Sequence, residues 1–412
     1  MELFYILLVL LLITRFFGEL AVRLKQPALV GELVSGIILG IIVRNYSETF
    51  VILHGLEDNE VFRAITDLAI FFLMLLAGIE MQPRNLARAS GDAFYVALGG
   101  MLLPLAAGYA LAWYFIPASP FKLPQALFLA ISLSVTAVPV AARVLLDLGH
   151  LETRIGHTII SAAVFNDILS LILLTSLTAV IHTGGLPHLE HLAIQSGMAL
   201  LFFGIAIIAG HILFPLGGRL LKSLRSDEID FTALLVVAFA YALLAEALKL
   251  HFIIGAFLAG LFFVRRTIDP HAYIAVKARV SGITTGFFAP IFFASIGMHF
   301  DISSAHAVPL FLILLIVIAF LCKLIGAGMP ALLLGFHVRE AAAVGVGMSA
   351  RGAVELVVAD IALRAGLFEV PQPVPDVVRH LFSAIVIMTL ATTLLTPLVL
   401  RQILMTKNNS AN

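Results

Sequence analysis

Asp167 is the residue whose type and position most plainly call for chemistry. It lies in an apolar run, residues 155–181, that reads SAAVFNDILSLILLTSL around it. About 12 residues flank it on each side, so in a helix rising 1.5 Å per residue the carboxylate stands roughly 18 Å from either end. In a membrane-spanning helix that depth is close to the bilayer midplane, where a charge costs about 2.5–3.5 kcal/mol on the insertion scale. A charge kept there faces a partner or a water-filled cavity and marks an ion or proton pathway. A hard monovalent cation asks for oxygen ligands, and Asp167 can supply them together with Thr136, Ser134, Asn166 and freed backbone carbonyls. Protonation and cation binding at one carboxylate exclude each other, and that exclusion alone couples two fluxes. The structural alternative is an ion pair inside the bundle.

Three more charges fall near the centres of apolar runs: Lys323 in 308–335, and Arg351 and Glu355 in 339–366. Glu355 follows Arg351 by four residues, so a helix would place both on one face. Lys323 has two open readings: a second proton carrier, or the permanent partner of Asp167 or Glu355. Arg351 stays charged and with Glu355 is expected to balance helix ends. Asp67 and Glu80 sit toward the two ends of another run and read as interfacial or packing residues, Asp67 with an outside place on an access path. Glu32 and Arg143 read as structural. The histidines cluster in loops such as HTGGLPHLEH, where a solvated role is the default.

The elements that must position these groups are membrane helices. The chain has 412 residues, 61% hydrophobic and 12% charged, against roughly one quarter charged in a soluble globule. Runs of spanning length give about thirteen helices, at residues 2–21, 28–44, 65–81, 94–115, 124–149, 155–181, 191–221, 231–250, 252–264, 285–302, 308–335, 339–366 and 380–404. The fold class is therefore an all-α polytopic membrane protein. The N-terminal run has no basic leader and no small-residue cleavage site and reads as a retained first span. Lysines and arginines concentrate in the loops after odd-numbered spans, which predicts an outside N-terminus and a cytoplasmic C-terminus in the cell (inner) membrane. Lys+Arg and Asp+Glu are equal at 25 each, so charge gives no sign of nucleic acid. The single cysteine, Cys322, excludes an intrachain disulfide and a cysteine-rich metal site.

The fifth and twelfth spans share a peculiarity. One reads AISLSVTAVPVAARVL, the other GVGMSARGAVELVV. Each carries small and polar residues with proline or glycine at its centre, and spans 4-5-6 correspond to spans 11-12-13. This is the signature of an inverted repeat in which two interrupted helices cross near the midplane. Pro139 removes a backbone donor, and Gly345, Gly347 and Gly352 permit unwinding. The backbone of Ala137, Val138, Pro139, Ser349, Ala350 and Gly352 is expected to form the two breaks. An ordinary proline kink with small-residue packing is the plainer reading.

Taken together these segments resemble the monovalent cation:proton antiporter-2 family over essentially the whole chain. The residues that carry the resemblance are QPALVGELVSGIILG, FLMLLAGIEM, SVTAVPVAARVL, FND, GAFLAGLFF, FFASIGM and SARGAVELV, in that order. The resemblance implies the sodium/proton antiporter fold, with a core of residues 65–181 and 285–404. It also implies a dimerisation scaffold of residues 1–44 and 191–264, a tail of 405–412, a homodimer and elevator-type alternating access. It assigns Asp167 as the ion-binding aspartate, Asn166 as its neighbour, Thr136 as the hydroxyl of the first broken helix and Lys323 as the basic residue of the eleventh span. One departure matters. Electrogenic relatives carry Asp-Asp where this chain has Asn166-Asp167, the electroneutral pattern, yet the basic residue is lysine as in the electrogenic group.

The expected activity is exchange of Na+ or K+ for H+, electroneutral, with the cation and proton as substrates, membrane lipid as surroundings and no cofactor. A sodium-coupled organic-anion symporter, a channel-like efflux system and a non-transporting regulator are the competing readings. An enzyme is not expected: no nucleophile–base constellation, metal-ligand spacing or phosphate loop is present. A nucleotide-binding regulatory domain is not expected after residue 404, and no GxGxxG follows a predicted strand.

Overall fold

The computed structural model describes residues 2–46, 48, 56, 59–81, 91–147, 149–151, 153–183, 197–198, 201–210, 212, 228–248, 250–263 and 270–405. These are helical, with no strand among the described residues. In chain order the helices are α1 (Glu2–Arg23), α2 (Ala28–Asn45), α3 (Glu60–Glu80), α4 (Gly91–Phe115), α5 (Lys122–Ser134), α6 (Val138–Asp147) and α7 (Arg154–Thr183). Then come α8 (Leu201–Gly210), α9 (Ile229–Ala247), α10 (Phe252–Phe262) and α11 (Pro270–Met298). The last four are α12 (Pro309–Leu333), α13 (Val338–Gly347), α14 (Ala353–Arg364) and α15 (Leu381–Met405).

Nine of these are long and apolar enough to cross a membrane among the described residues. The shorter α8 and α10 are the seventh and ninth expected spans, the seventh described only in part. The pairs α5/α6 and α13/α14 are the fifth and twelfth, each interrupted as the sequence predicts. The tenth span is a correction. It begins at Pro270, not at 285, and its first stretch, PHAYIAVKARVSGI, was expected to be a connection. Lys277 and Arg279 lower its hydropathy without lowering its helix propensity, so a count of apolar residues misses it.

The chain divides into two compact units. The first comprises residues 1–16, 38–87 and 187–295, the second residues 17–37, 88–186 and 296–412. In the first, α3 and α10 meet through Gly78 and Gly260. A Cβ on Gly78 would stand 2.1 Å from the Phe257 carbonyl oxygen, and one on Gly260 2.3 Å from that of Leu75. Only glycine allows backbones so close. Beside them α11 makes a π-helical turn, Thr284–Phe288, with Phe288 stacked on Phe72 at 4.8 Å and Thr284 donating to the Phe72 carbonyl at 3.4 Å. The carbonyl of Thr285, within that turn, accepts from the Arg15 guanidinium.

In the second unit α4 lies on α12, again through glycine: Cβ atoms on Gly99 and Gly326 would stand 2.3 and 2.5 Å from the other's carbonyl oxygen. Small side chains (Ala97, Ala141, Ala162, Ala163, Ala327) line the buried cluster around Ile159 and Met348. Arg154 donates to the Leu334 carbonyl at the end of α12, and Arg339 to that of Ile403 at the end of α15. Both place a cation at the negative end of a helix dipole. Gly326→Val is expected to lower stability by about 1–3 kcal/mol, the usual range for overpacking. It should also displace Lys323, which lies one turn earlier on the same helix; thermal unfolding in detergent checks the loss of stability.

Candidate functional site

The site is built where the two interruptions meet. α5 stops at Ser134, and Pro139, in the first turn of α6, bars one continuous helix because its ring would meet the Val135 carbonyl four residues back. That leaves Val135, Thr136 and Ala137 non-helical. The second interruption runs from Met348 to Gly352, after the glycines of α13. The two breaks join backbone to backbone: the Ala137 N–H donates to the Ala350 carbonyl at 2.8 Å. The Thr136 hydroxyl donates to the Met348 carbonyl at 3.2 Å. Ser349 turns back to donate to the Gly345 carbonyl at 3.1 Å. The backbone of Ala137, Ser349, Ala350 and Gly352 is thus placed at the crossing as expected. The side chains of Val138, Pro139 and Arg143 lie outside the described residues.

Protein donors take up the exposed carbonyls of α5 in order. Arg351 Nη1 donates to the Ser132 carbonyl at 2.5 Å and Nη2 to that of Leu133 at 2.9 Å. Lys323 Nζ donates to the Ser134 carbonyl at 2.5 Å and to Thr136 Oγ1 at 2.6 Å. Asn166 Nδ2 donates to the same two acceptors, at 2.9 and 2.6 Å. Thr136 Oγ1 therefore accepts twice and donates once, which is all a hydroxyl can do. Oxygens expected from the sequence to be free for a cation are, in this conformation, engaged by the protein.

Asp167 is placed differently. It is 4% exposed, and its Oδ1 has no hydrogen-bond partner. Neither Lys323 nor Arg351 forms an ion pair with it among the described residues, although Lys323 is near enough to act on it through space. Of the readings open for Lys323, permanent pairing with a carboxylate is not what the geometry displays. Glu355 pairs with Arg351 instead, Oε1 to Nη1 at 3.2 Å, both side chains fully buried. The spacing that suggested a shared helix face has another basis. Arg351 lies in the extended break and Glu355 in the first turn of α14, where a carboxylate also meets the positive end of the helix dipole. Asp67 is half-buried on α3, in the first unit, with Glu80 at that helix's end; Glu32 is buried on α2.

Several participants were not singled out from sequence. Ser132, Leu133 and Met348 contribute carbonyls, which no side-chain pattern announces. Thr393 was legible in principle: Thr389, Thr392, Thr393 and Thr396 form a buried hydroxyl row at helical spacing in an otherwise apolar span. Thr393 donates to the Arg351 carbonyl at 3.2 Å.

Two broken helices that meet beside a buried aspartate are an arrangement of the kind found in inverted-repeat transporters. The family model of the transmembrane sodium/hydrogen exchanger matches residues 6–406. The chain belongs to the sodium/hydrogen exchanger family. It is 33% identical to the Na(+)/H(+)-K(+) antiporter GerN of Bacillus cereus, over 97% of this chain and 96% of that one. It is 28% identical to the Na(+)/H(+) antiporter of Enterococcus hirae, over 97% and 98%. The fold is similar to that of the sodium proton antiporter MjNhaP1 from Methanocaldococcus jannaschii, with a TM-score of 0.71, 16% identity and 97% of each chain covered. The resemblance carried by SVTAVPVAARVL, FND and SARGAVELV is borne out at the level of family and fold, and the exchanger is a multi-pass membrane protein.

Proposed function

We propose that this chain is a secondary antiporter that exchanges a monovalent cation, Na+ or K+, for H+ at Asp167, one for one. The observation that carries the reading is a buried mid-span carboxylate with one oxygen unengaged, set beside two helix breaks that Lys323, Arg351 and Asn166 hold by their carbonyls. A buried oxygen without a partner is costly, and a cation or a proton relieves that cost. The names of the Bacillus and Enterococcus relatives agree with such an exchange.

Charge supports the one-for-one stoichiometry. Asp167, Glu355, Lys323 and Arg351 are the charged side chains of the crossing, two of each sign, each buried. Asn166 adds none. With either a cation or a proton on Asp167 the group carries the same total, so the two loaded forms respond alike to the membrane potential. Alternating access is read as elevator-type movement of a homodimer, with the N-terminus outside and the C-terminus cytoplasmic. No cofactor and no enzymatic step enter this scheme.

The test is on the full chain in proteoliposomes, following internal pH after addition of Na+, K+ or Li+, with the potential clamped or free. Cation-driven proton efflux unaffected by clamping is the expected result. Because proton and cation compete for one carboxylate, the apparent KM for the cation should rise about tenfold for each unit by which pH is lowered, once that carboxylate is mostly protonated. No response to any of the three cations would overturn the reading in favour of a symporter or regulator.

A further inference from the structure

Where α15 begins, a buried histidine of the second unit faces a partly exposed aspartate. His380, the residue before α15, is 6% exposed, and its Nδ1 has no hydrogen-bond partner. That nitrogen stands 3.5 Å from Asp301 Oδ2, on the connection between α11 and α12. Asp301 is itself held in place. Its N–H donates to Ser383 Oγ at 2.9 Å, its Oδ1 accepts from the Ser303 N–H at 2.9 Å, and its carbonyl accepts from Ser304 Oγ at 2.7 Å. The His380 N–H donates to the Asp376 carbonyl at 3.0 Å. Both partners are thus fixed by their backbones, and a single proton decides how their side chains meet.

The titratable and charged groups on the segments around His380 can be named. The connection carries His299, Asp301 and His306; the short helix Asp376–Arg379 carries its two terminal residues, and the loop before it Glu369. The helices packed on α15 carry Cys322 and Lys323 on α12, Arg339 and Glu340 on α13, and Glu355, Asp360 and Arg364 on α14. Asp360 pairs with Arg364 at 2.7 Å, and His299 faces the Phe382 ring. Among the described residues, Asp301 is the carboxylate at ion-pair distance from His380.

We propose that protonation of His380 closes a latch on Asp301 and slows exchange, so that the maximal rate falls on the acid side through a group distinct from Asp167. The proposal rests on the reading of Asp167 as the exchange site. Histidine is the side chain whose charge ordinarily changes between about pH 5 and 8. With a proton from water on Nδ1, His380 donates to the Asp301 carboxylate, and the contact becomes a charge-assisted hydrogen bond. A lone cation at the start of α15 would meet the positive end of the helix dipole, and Asp301 offsets it. The latch matters because of what α15 supports: about 20 Å further along the helix, Thr393 donates to the Arg351 carbonyl in the second break at 3.2 Å. Tying the start of α15 to the α11–α12 connection restrains the helix that braces the break. Asp167 and His380 then leave different marks. A proton on Asp167 competes with the cation and is overcome by more cation, whereas a proton on His380 is not.

The experiment measures uptake of labelled Na+, and separately of labelled Rb+ in place of K+, by the full chain in proteoliposomes loaded with the same cation. pH is equal on both sides, and the cation is varied up to saturation. Cation-for-cation exchange of this kind needs no net proton movement, so its maximal rate reports on the latch and its KM on Asp167. Wild type is expected to lose several-fold of its maximal rate between about pH 8 and pH 5. His380→Gln, neutral throughout, should keep the alkaline maximal rate across that range while its KM still rises on the acid side. Asp301→Asn removes the charge and keeps an oxygen for the Ser303 N–H; it should give the same flat maximal rate, and it decides should His380→Gln not fold. A wild-type maximal rate indifferent to pH, or an acid-side fall kept in full by both variants, overturns the latch and leaves the Asp167 reading standing. A flat wild-type KM, with an acid-side fall in maximal rate that His380→Gln removes, overturns competition at Asp167 and supports the latch. Absence of uptake at every pH overturns both.

Discussion

Asp167→Asn is expected to abolish cation-dependent proton movement, to the level of protein-free liposomes, and to leave the fold intact. The amide has nearly the same shape as the carboxylate, so packing around α7 is preserved. What disappears is the negative charge that would draw a cation and the group that would take up and release a proton. Thermal unfolding should confirm the distinction between folding and function. Asp167 Oδ1 is buried without a hydrogen-bond partner, and an ionised group in that position costs stability. Replacing it with a neutral amide should hold the melting temperature or raise it. Asp167→Glu keeps the charge one methylene further from the backbone and should retain a fraction of the rate with a raised KM. Full exchange by Asp167→Asn would remove Asp167 from the site. A sharp fall in melting temperature would show that the carboxylate is structural, held by charge and not offered to a substrate.

Much of this site was legible in the sequence because its features are loud against an apolar background. A charge in the middle of SAAVFNDILSLILL, and two helices interrupted by proline or glycine at matching places, carry physical costs that only a specific arrangement offsets. What was not legible is the use of backbone. Nothing in the types of Ser132, Leu133 and Ser134 says that their carbonyls will be held by Arg351 and Lys323, since every residue carries that oxygen. The sequence invited pairing of Lys323 with a carboxylate by counting charges, whereas the end of a broken helix competes for a cation just as a carboxylate does. Arg351 and Glu355 illustrate a right pairing with a different cause: four residues apart, they meet across an extended break and not along a helix face. The helical start of α11 was lost for the opposite reason, since charge in Lys277 and Arg279 weighs against a span but not against a helix.

Arg351→Met should be the most destabilising single change at the crossing. Methionine fills a similar volume, so the loss is electrostatic. It leaves Glu355 fully buried without its hydrogen-bonded ion-pair partner, and it leaves the Ser132 and Leu133 carbonyls without donors. Breaking a buried pair from one side costs about 3–5 kcal/mol, and each abandoned carbonyl about 1–3 kcal/mol where water cannot replace the donor. Arg351→Lys should fall between. An ammonium keeps the charge but lacks the planar fork that reaches two carbonyls and a carboxylate at once. The informative companion is Arg351→Met/Glu355→Gln, which removes both charges. If the cost of the single change is an uncompensated carboxylate, the double variant should recover a large part of the stability, leaving the deficit from the two carbonyls. A double variant as unstable as Arg351→Met would instead place the whole cost in the uncapped end of α5. Unfolding temperatures of the four proteins in one detergent separate these outcomes. A single variant within about 1 kcal/mol of wild type would mean that the ion pair is not what holds the crossing. The stability of the break would then belong to the backbone bond between Ala137 and Ala350 and to the packing of small residues behind it.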